Sequence, residues 1–321
     1  MSPRPSVPRS TIFVRCACLP ALLASCFGAG PARSSRSVDP GAYEQEIAAW
    51  RSSRVDAVAG PDGWTTLASL FWLESGRTYR VGDDPTCEVA VPRGHAPGLR
   101  GTLTAGDDGA HFTAAPGADA ALDGAPLGAS PVALRSDRVG AASVLSSGSV
   151  TLRVIERGGR LAVRMKDARH PLRSAFAGLS YFPLDPAMRV EAKLEPPASP
   201  KKLRVLNRVG QTEEYPSPGT LVFSIGGREC RLDAAQEPGK SSLFILFRDA
   251  TSQDTTYPTG RFLEAAAPDA GGRTILDFNR AYNPPCAFTE FATCPIPPAQ
   301  NDLPFAVRAG ERRYAGPHPG D

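Results

Sequence analysis

Apolar and polar residues alternate with a period of two along much of this chain, which is the pattern of β-strands. In VTLRVIERGGRLAVRMKD, residues 150–167, apolar side chains fall at alternate positions on both sides of Gly158 and Gly159. Two glycines between alternating segments are typical of a tight turn, so this segment predicts a β-hairpin. TLVFSIGGRECRLDA, residues 220–234, predicts a second hairpin, with Cys230 in phase with its buried face.

The clearest helical period lies near the start of the chain. Apolar residues recur at Tyr43, Ile47 and Trp50 within YEQEIAAWRSSR, which predicts one short helix. Glycine and proline number 31 and 32 among 321 residues. This proportion is above average usage and favours many turns over long helices. The chain is therefore predicted to be mainly β, with one short N-terminal helix.

Prolines and charged residues interrupt the strand pattern at EPPASPKK, residues 195–202. A break of this composition is typical of a boundary between two structural units. We therefore expect an N-terminal β-rich unit over residues 41–195 and a C-terminal β-rich unit over residues 203–315. Short strands with glycine and proline turns predict a sandwich for the first unit and a barrel or a sandwich for the second.

Residues 1–25 have the composition of a secretory signal peptide. They contain three arginines and no acidic residue, followed by the short apolar run CACLPALLAS. This run is too short to span a membrane. The sequence LASC, residues 23–26, resembles the bacterial lipobox, in which the cysteine becomes lipidated. A signal peptide that is cleaved without lipidation is the alternative, as is a start codon assigned too early.

The lipobox interpretation predicts a localisation for the protein. Residues 26–40 are small, basic and polar, and we expect them to act as a tether. Lipidation of Cys26 would make the chain a lipoprotein of the bacterial cell envelope, facing the periplasm or the exterior. The lipid on Cys26 is the only membrane attachment that the sequence predicts, because no later apolar run reaches membrane-spanning length.

The charge balance excludes one class of partner. The chain has 36 basic and 33 acidic residues, and residues 1–25 account for the excess of three arginines. The remaining chain is electrically balanced, so its charge gives no reason to expect nucleic-acid binding. The four histidines show no metal-ligand spacing. We therefore predict neither a metal site nor a cofactor.

Candidate binding chemistry follows the apolar strands of the second half, where LFILF and RTIL each end in charged and amide residues. Strands that end in this way can bring polar side chains together at one rim of a β unit. The eight candidate ligand-binding residues are Arg248, Asp249, Tyr257, Arg261, Asp277, Asn279, Tyr282 and Asn283. Arginines bind carboxylate or phosphate, amides orient a ligand and tyrosines form a wall, so we expect a small, possibly anionic ligand.

Two other functions remain open for the same rim. The first is a hydrolase in which Asp277 or Asp249 acts as general base, or Cys286 as nucleophile, so enzymatic activity is left undecided. The second is a structural or partner-binding envelope protein. In that case the polar side chains would pair with one another and tie a proline-rich loop to the rim, because prolines supply no backbone donors.

Cys286 and Cys294 lie in the proline-rich segment that follows the candidate rim. An exported chain meets oxidising conditions, which favours a disulfide that closes the short loop between them. A metal site would need two more ligands that the neighbouring sequence does not offer. A nucleophilic Cys286 would need a base, for which Asp277 or Glu311 is a candidate.

The same segments resemble a known family. FRDATSQDTTYPTGRFL, then LDFNRAYNPPCAFTEFATCPIPPAQNDLPFAVRAGE, and the upstream RMKDARHPLRSAFAGLSYFPLDPAMRV are similar to domain of unknown function 1684, which we expect to be bacterial and often exported. The resemblance extends over most of the chain after about Trp64. It implies no activity. It implies that Asn301 and Glu311 belong to the motif together with the candidate residues and the two cysteines.

The first half shows a weaker resemblance. GRTYRVGDDPTCEVAVP, residues 76–92, resembles the start of a forkhead-associated domain. The serine, histidine and arginine signature of the phosphothreonine surface does not follow, since RGHAPGLRGTL stands there instead. The resemblance therefore implies a forkhead-associated-like sandwich and no phosphopeptide binding.

Overall fold

The computed structural model describes residues 39–237 and 239–317. The predicted signal peptide over residues 1–25, the lipidation site Cys26 and nearly all of the predicted tether lie outside the described residues. Strands dominate the described chain, so the prediction of a mainly β protein is confirmed. In the part of the chain that is described, no helix is long and apolar enough to cross a membrane.

The predicted N-terminal helix is confirmed as α1 (Pro40–Ala59), which is longer than the periodic segment. Asp39 precedes the helix, and its carboxylate accepts hydrogen bonds from two backbone N–H groups of the first turn, at 2.8 and 3.2 Å. Proline at the first helical position suits this start, because its missing N–H would have no partner there. The helix buries Tyr43, Ile47 and Val58.

The first half of the chain forms two sheets. Its strands are β1 (Leu67–Trp72), β2 (Thr78–Gly82), β3 (Val89–Ala90), β4 (Gly101–Gly106), β5 (Gly109–Ala114), β6 (Ala121–Leu122), β7 (Ala125–Pro126), β8 (Val132–Leu134), β9 (Leu145–Ser147), β10 (Val150–Arg157) and β11 (Arg160–Asp167). One sheet has the order β1-β11-β10-β9-β6-β7 and the other β3-β2-β4-β5-β8. A short helix, α2 (Pro171–Ser174), follows.

Alternation along these strands places their apolar side chains in one shared core. Phe112 on β5 belongs to the five-stranded sheet, whereas Leu152 and Met165 belong to the six-stranded sheet, and all three lie in the same buried cluster. The predicted hairpin is confirmed, because β10 pairs antiparallel with β11 from Val150 opposite Asp167 onward. The forkhead-associated-like detail of this half stays a prediction.

The second half forms three sheets. Its strands are β12 (Arg189–Glu195), β13 (Lys201–Leu206), β14 (Thr212–Ser217), β15 (Gly219–Ile225), β16 (Arg228–Ala234), β17 (Leu243–Asp249), β18 (Arg261–Ala265), β19 (Arg273–Asp277) and β20 (Asp302–Leu303). The sheet orders are β16-β15-β12-β19, β18-β17-β20 and β13-β14. The second predicted hairpin is confirmed as β15 and β16, and Cys230 is buried in the core as expected.

Two elements from before the predicted boundary contact the second half. Strand β12 pairs with β15 and β19 rather than with any strand of the first half. Helix α1 contacts the 3₁₀ turn Phe278–Arg280. The division at residues 195–203 stays a prediction, but the helix and β12 both support the region that holds the candidate rim.

The proline-rich segment that contains the two cysteines packs against the first half. Phe288 lies in a buried cluster with Val58 and Trp64. Thr289 Oγ1 donates a hydrogen bond to the carbonyl of Leu67 at 3.4 Å. Arg164 on β11 donates through Nη2 to Thr293 Oγ1 at 3.3 Å. These contacts place the first-half hairpin opposite the cysteine segment, and a cleft lies between them.

Candidate functional site

Arg261 and Asp249, two of the predicted ligand-binding residues, form a fully buried ion pair. Arg261 Nη2 lies 2.9 Å from Asp249 Oδ2, and neither side chain is exposed. Asp249 also accepts hydrogen bonds through Oδ1 from the N–H and the hydroxyl of Thr251, at 2.8 and 2.6 Å. Burial lowers the pKa of Arg261, and Asp249 opposes that shift. Both charges are therefore satisfied inside the protein.

The two terminal nitrogens of Arg261 hold the C-terminal segment. Nη2 donates to the carbonyl of Val307 at 2.9 Å, and Nη1 donates to the carbonyls of Ala309 and, at 3.3 Å, Glu311. The N–H of Val307 donates in turn to Asp249 Oδ1 at 3.1 Å. The guanidinium fork that the sequence suggested for a ligand is thus occupied by backbone oxygens.

Glu311 is fully buried and joins three distant parts of the chain. Its Oε1 accepts from Arg54 Nε of helix α1 at 2.7 Å, and its Oε2 accepts from the N–H of Asn283 at 2.8 Å. Arg54 also lies 4.4 Å above the centre of the Tyr282 ring, a cation–π contact. Asn283 Nδ2 donates to the carbonyl of Arg312 at 2.8 Å, which adds a further tie to the C-terminal segment.

Asp277 and Asn279 bind the start of helix α1. Tyr43 donates its hydroxyl to both carboxylate oxygens of Asp277, at 2.9 and 3.0 Å. Asn279 Nδ2 lies 2.9 Å from the Tyr43 hydroxyl and donates to the carbonyl of Asp185 at 2.8 Å. Burial, together with Asp277, raises the pKa of Tyr43 above its ordinary value. This cluster is a second anchor for the helix.

The other predicted residues have separate positions. Arg248 pairs with Asp302 at 2.9 Å on the surface. Tyr257 donates its hydroxyl to the carbonyl of Cys286 at 2.9 Å, and Tyr282 donates to Glu264 Oε1 at 3.1 Å. The structure therefore distributes the eight predicted residues over three networks and the separate contacts of Arg248 and Tyr257 rather than one open rim.

Cys286 and Cys294 are neighbours that are not joined by a disulfide in the structure. The N–H of Cys286 donates to Cys294 Sγ at 3.1 Å, and both residues are buried. A hydrogen bond with Cys294 lowers the pKa of the Cys286 thiol, whereas burial raises the pKa of Cys294. The predicted disulfide stays a prediction. Within the described residues, no group of three or more His, Cys, Asp or Glu side chains is placed to hold a metal.

A cleft of about 290 Å³ lies between the first-half hairpin and the second half. The first half contributes Trp64, Arg157 and Arg164. The second half contributes aromatic and acidic side chains and part of the cysteine segment: Glu213, Tyr215, Glu237, Phe244, Phe262, Glu264, Tyr282, Pro285, Ala292, Thr293, Cys294 and Pro295. Arg54 and Lys240 complete the lining. Among the eight predicted residues, Tyr282 alone lines this cleft.

Arg164, which lies on strand β11 of the first half, differs from the charged residues of the second-half networks. It makes no ion pair with any carboxylate of residues 39–237 and 239–317, although it is largely buried and lines the cleft. Its Nε–H has no hydrogen-bond partner there, a property that it shares with Arg261. Burial, and secondarily the charge of Arg157, lowers the pKa of Arg164 to about 10. The site therefore contains a guanidinium without an ion-pair partner among the described residues, although the more distant charge of Asp137 partly opposes the effect of burial.

Arg164 was not predicted as a site residue, because the alternating pattern of the hairpin draws attention to its apolar face. Leu161, Val163 and Met165 point inward, so Arg164 lies on the opposite face, where a charged side chain is ordinarily solvated. The available signal was the repetition of arginine on the strands around the predicted turn, at residues 153, 157, 160 and 164. The pattern alone does not reveal that the cysteine segment covers one of these arginines.

A larger open hollow of about 950 Å³ lies among the strands of the first half. Its lining includes none of the predicted residues. Arg138 and Glu156 in its wall pair with each other at 2.7 Å. Arg160 stacks on Trp72, with the guanidinium carbon 4.8 Å from the ring centre. The charged side chains that line this hollow are mostly exposed to solvent, in contrast to Arg164 in the cleft.

Comparison with known proteins gives a family and a similar solved structure. Residues 174–312 match the family described as "Protein of unknown function (DUF1684)". The match begins later in the chain than the resemblance expected from about Trp64. An uncharacterised protein of Haloarcula marismortui, determined by solution NMR, is similar at 38% identity over 44% of this chain and 78% of that chain, with a TM-score of 0.38. No curated protein matches this chain.

One wall of the cleft lies within the matched segment, and the other wall lies outside it. Glu213, Glu264 and Tyr282 lie inside residues 174–312, whereas Arg157 and Arg164 lie before them. The internally satisfied networks of Asp249, Arg261 and Glu311 also lie inside that segment, although some of their partners do not. The second-half wall is therefore part of the matched family segment, and the arginine wall is contributed by the rest of this chain.

Replacing Arg261 with methionine should destabilise the protein strongly. The substitution leaves the Asp249 carboxylate buried without its counter-charge and removes the donors of three carbonyls, which costs about 3–5 kcal/mol. Arg248→Met on the neighbouring strand is the matched control, because its ion pair with Asp302 is on the surface and contributes less than about 1 kcal/mol. Denaturant unfolding measures both changes. Equal midpoints for the two variants would contradict the assignment of Arg261 as a structural residue.

Cys286 and Cys294 should form a disulfide when the full chain is exposed to an oxidant such as oxidised glutathione. The thiols are neighbours, and a lowered pKa favours the reactive thiolate at Cys286. Peptide mapping of the alkylated, non-reduced protein should show the two residues linked, while the buried Cys230 in strand β16 should remain a thiol. Alkylation of both Cys286 and Cys294 after this treatment would show that the prediction is wrong.

Proposed function

The chain belongs to the DUF1684 family, and from this premise we propose that it binds a small anionic ligand in the cleft between its first-half hairpin and the family segment. The observation that carries the proposal is that Arg164 lies on the cleft wall and forms no ion pair with a described residue. A bound carboxylate or phosphate would supply a direct ion-pair partner, which the described residues do not provide.

Burial makes the charge of Arg164 costly. Removing a guanidinium from water without a paired anion is unfavourable, and proteins ordinarily pair such a group or hydrogen-bond it fully. Arg164 has one hydrogen bond, to Thr293, and a distant contact with the Trp64 ring at 5.7 Å. Arg157 adds a second positive charge nearby, although it pairs with Asp137 at 2.8 Å. An anion in the cleft would therefore gain attraction from both arginines.

The shape and lining of the cleft suit a small molecule. Its volume of about 290 Å³ is close to the lower end of the range of roughly 300–1,000 Å³ for ligand pockets. Trp64, Tyr215 and Tyr282 provide aromatic walls. Aromatic walls combined with a few placed polar groups are the usual composition of such a site. This composition supports a compact organic anion, since a hydrated inorganic ion makes less use of aromatic surface.

The cleft replaces the open rim that the sequence suggested as the binding surface. Arg261, Asp277 and Asn279 have protein partners for their charged or amide groups and do not line the cleft. Of the two carboxylates that a hydrolase would use, neither Asp249 nor Asp277 lines it. We therefore propose binding rather than hydrolysis, with the satisfied networks acting as the frame of the site.

We also propose that the protein is held at the cell envelope by a lipid on Cys26. The support for this is the arginine-rich leader, the short apolar run and the LASC sequence. A ligand site on a tethered protein would be exposed to solutes outside the cytoplasmic membrane. The anchor and the cleft are independent proposals.

Arg164→Gln should weaken anion binding at least about tenfold, because a hydrogen bond to a charged group contributes roughly 1.5–3 kcal/mol. Calorimetric titration of the purified protein with succinate, in a low-salt buffer that limits screening, measures the change. Arg160→Gln is the matched control, since it removes the same charge from the same strand outside the cleft. The proposal fails if Arg164→Gln binds succinate as tightly as the parent, or if the parent binds none of a set of small organic anions that includes succinate, butyrate and γ-aminobutyrate.

Cys26→Ser should release the full chain from the membrane fraction of a bacterial expression host. Lipidation needs the cysteine sulfur, and a single serine oxygen cannot replace it in this modification. Metabolic labelling with an alkyne fatty acid should mark the parent and leave the variant unmarked. Recovery of an unlabelled parent chain in the soluble periplasmic fraction would favour a cleaved signal peptide without an anchor.

A further inference from the structure

The ionic side chains of the cleft do not balance one another. Four basic and three acidic residues line it: Arg54, Arg157, Arg164 and Lys240, and Glu213, Glu237 and Glu264. Three of the basic residues already have acidic partners in the protein, in the pairs Arg54–Glu311, Arg157–Asp137 and Lys240–Glu237. Arg164, Glu213 and Glu264 remain, and none of them forms an ion pair with the described residues.

The two remaining carboxylates are held by neutral donors. Glu213 accepts from the Tyr215 hydroxyl at 2.8 Å and from Asn207 Nδ2 at 2.7 Å. Glu264 accepts from the Tyr282 hydroxyl at 3.1 Å. A phenol or an amide fixes the position of a carboxylate but does not neutralise it. Each of these carboxylates therefore has acceptor capacity left for a second donor.

The three acidic side chains line the cleft together with Tyr215 and Tyr282, all on the side of the second half. Burial, then Glu213, raises the pKa of Tyr215 above its ordinary value. Burial, then Glu264, raises the pKa of Tyr282. Glu237, which is paired with Lys240, contributes to the rise at both tyrosines. The negative charges are therefore concentrated on the second-half wall, opposite Arg164 on the first-half hairpin.

We propose that the ligand of this cleft is amphoteric, with an anionic group at Arg164 and an ammonium group at Glu213 and Glu264. This inference rests on the proposed anion-binding function and specifies the class of ligand. A ligand with negative charge alone would meet repulsion from the two carboxylates, and one with positive charge alone would meet Arg164. The acidic wall thus disfavours purely anionic ligands, and Arg164 disfavours purely cationic ones.

The test compares matched ligands that differ by one amino group. Calorimetric titrations of the full chain would use γ-aminobutyrate against butyrate and ε-aminocaproate against caproate, at neutral pH and low salt. We expect at least one amino compound to bind about tenfold or more tightly than its deaminated counterpart, since a charged hydrogen bond contributes that much. The double substitution Glu213→Gln and Glu264→Gln should abolish this difference. Glutamine keeps an oxygen acceptor for the tyrosine hydroxyls, so the walls should persist.

The matched control is Glu214→Gln, the neighbour of Glu213 on β14, which pairs with Lys202 on the surface at 2.9 Å. This variant should keep the full preference for the amino compound. Equal affinity for amino and deaminated compounds, or a preference that survives the double substitution, would overturn the amphoteric assignment and leave the anion site intact. If Arg164→Gln binds every compound as the parent does, or if no compound of either kind binds the parent, the proposed function itself fails.

Discussion

The buried guanidinium of Arg261 determines how the second half of this protein is assembled. A charge with no exposure to water requires acceptors for its donors. Asp249 supplies the counter-charge, and the carbonyls of Val307, Ala309 and Glu311 supply the other acceptors. Three acceptors from one short stretch of backbone fix the path of that stretch across strands β17 and β18.

The fixed C-terminal segment in turn positions the start of the described chain. With the backbone of Glu311 bound to Arg261, its carboxylate lies beside Asn283 and accepts from Arg54 of helix α1. Arg54 then covers the Tyr282 ring, which forms part of the cleft wall. These structural charges are thereby connected to the lining of the cleft on the side of the family segment.

The two classes of arginine in this protein have different electrostatic roles. Arg261 and Arg54 have carboxylate partners, and removal of either partner would leave a buried charge. Arg164 is partly buried and has no such partner among the described residues. The carboxylate partners of Arg261 and Arg54 explain why side chains that the sequence suggested for ligand binding bind other parts of the protein instead. The second class identifies the position at which a ligand would change the electrostatic energy most.

The sequence predicted the elements of the fold better than the arrangement of its charges. Alternation around the two glycine pairs is a local property, so the hairpins at residues 150–167 and 220–234 were predictable. Tyr43 and Ile47 likewise marked helix α1. Arg54 and Glu311, in contrast, are 257 positions apart, and no periodicity relates them. The predicted site residues of the second half lie close together in space, but their partners come from segments that a local pattern cannot identify.

The most direct measurement is an NMR spectrum of the arginine Nε–H groups of isotopically labelled protein, recorded during titration with ε-aminocaproate. The Arg164 and Arg261 signals are assigned from single substitutions that remain folded, such as Arg164→Gln and Arg261→Lys. We expect a saturable shift of the Arg164 signal, while the Arg261 signal stays in place because its partners belong to the protein. A saturable shift of the Arg261 signal with an unchanged Arg164 signal would contradict it.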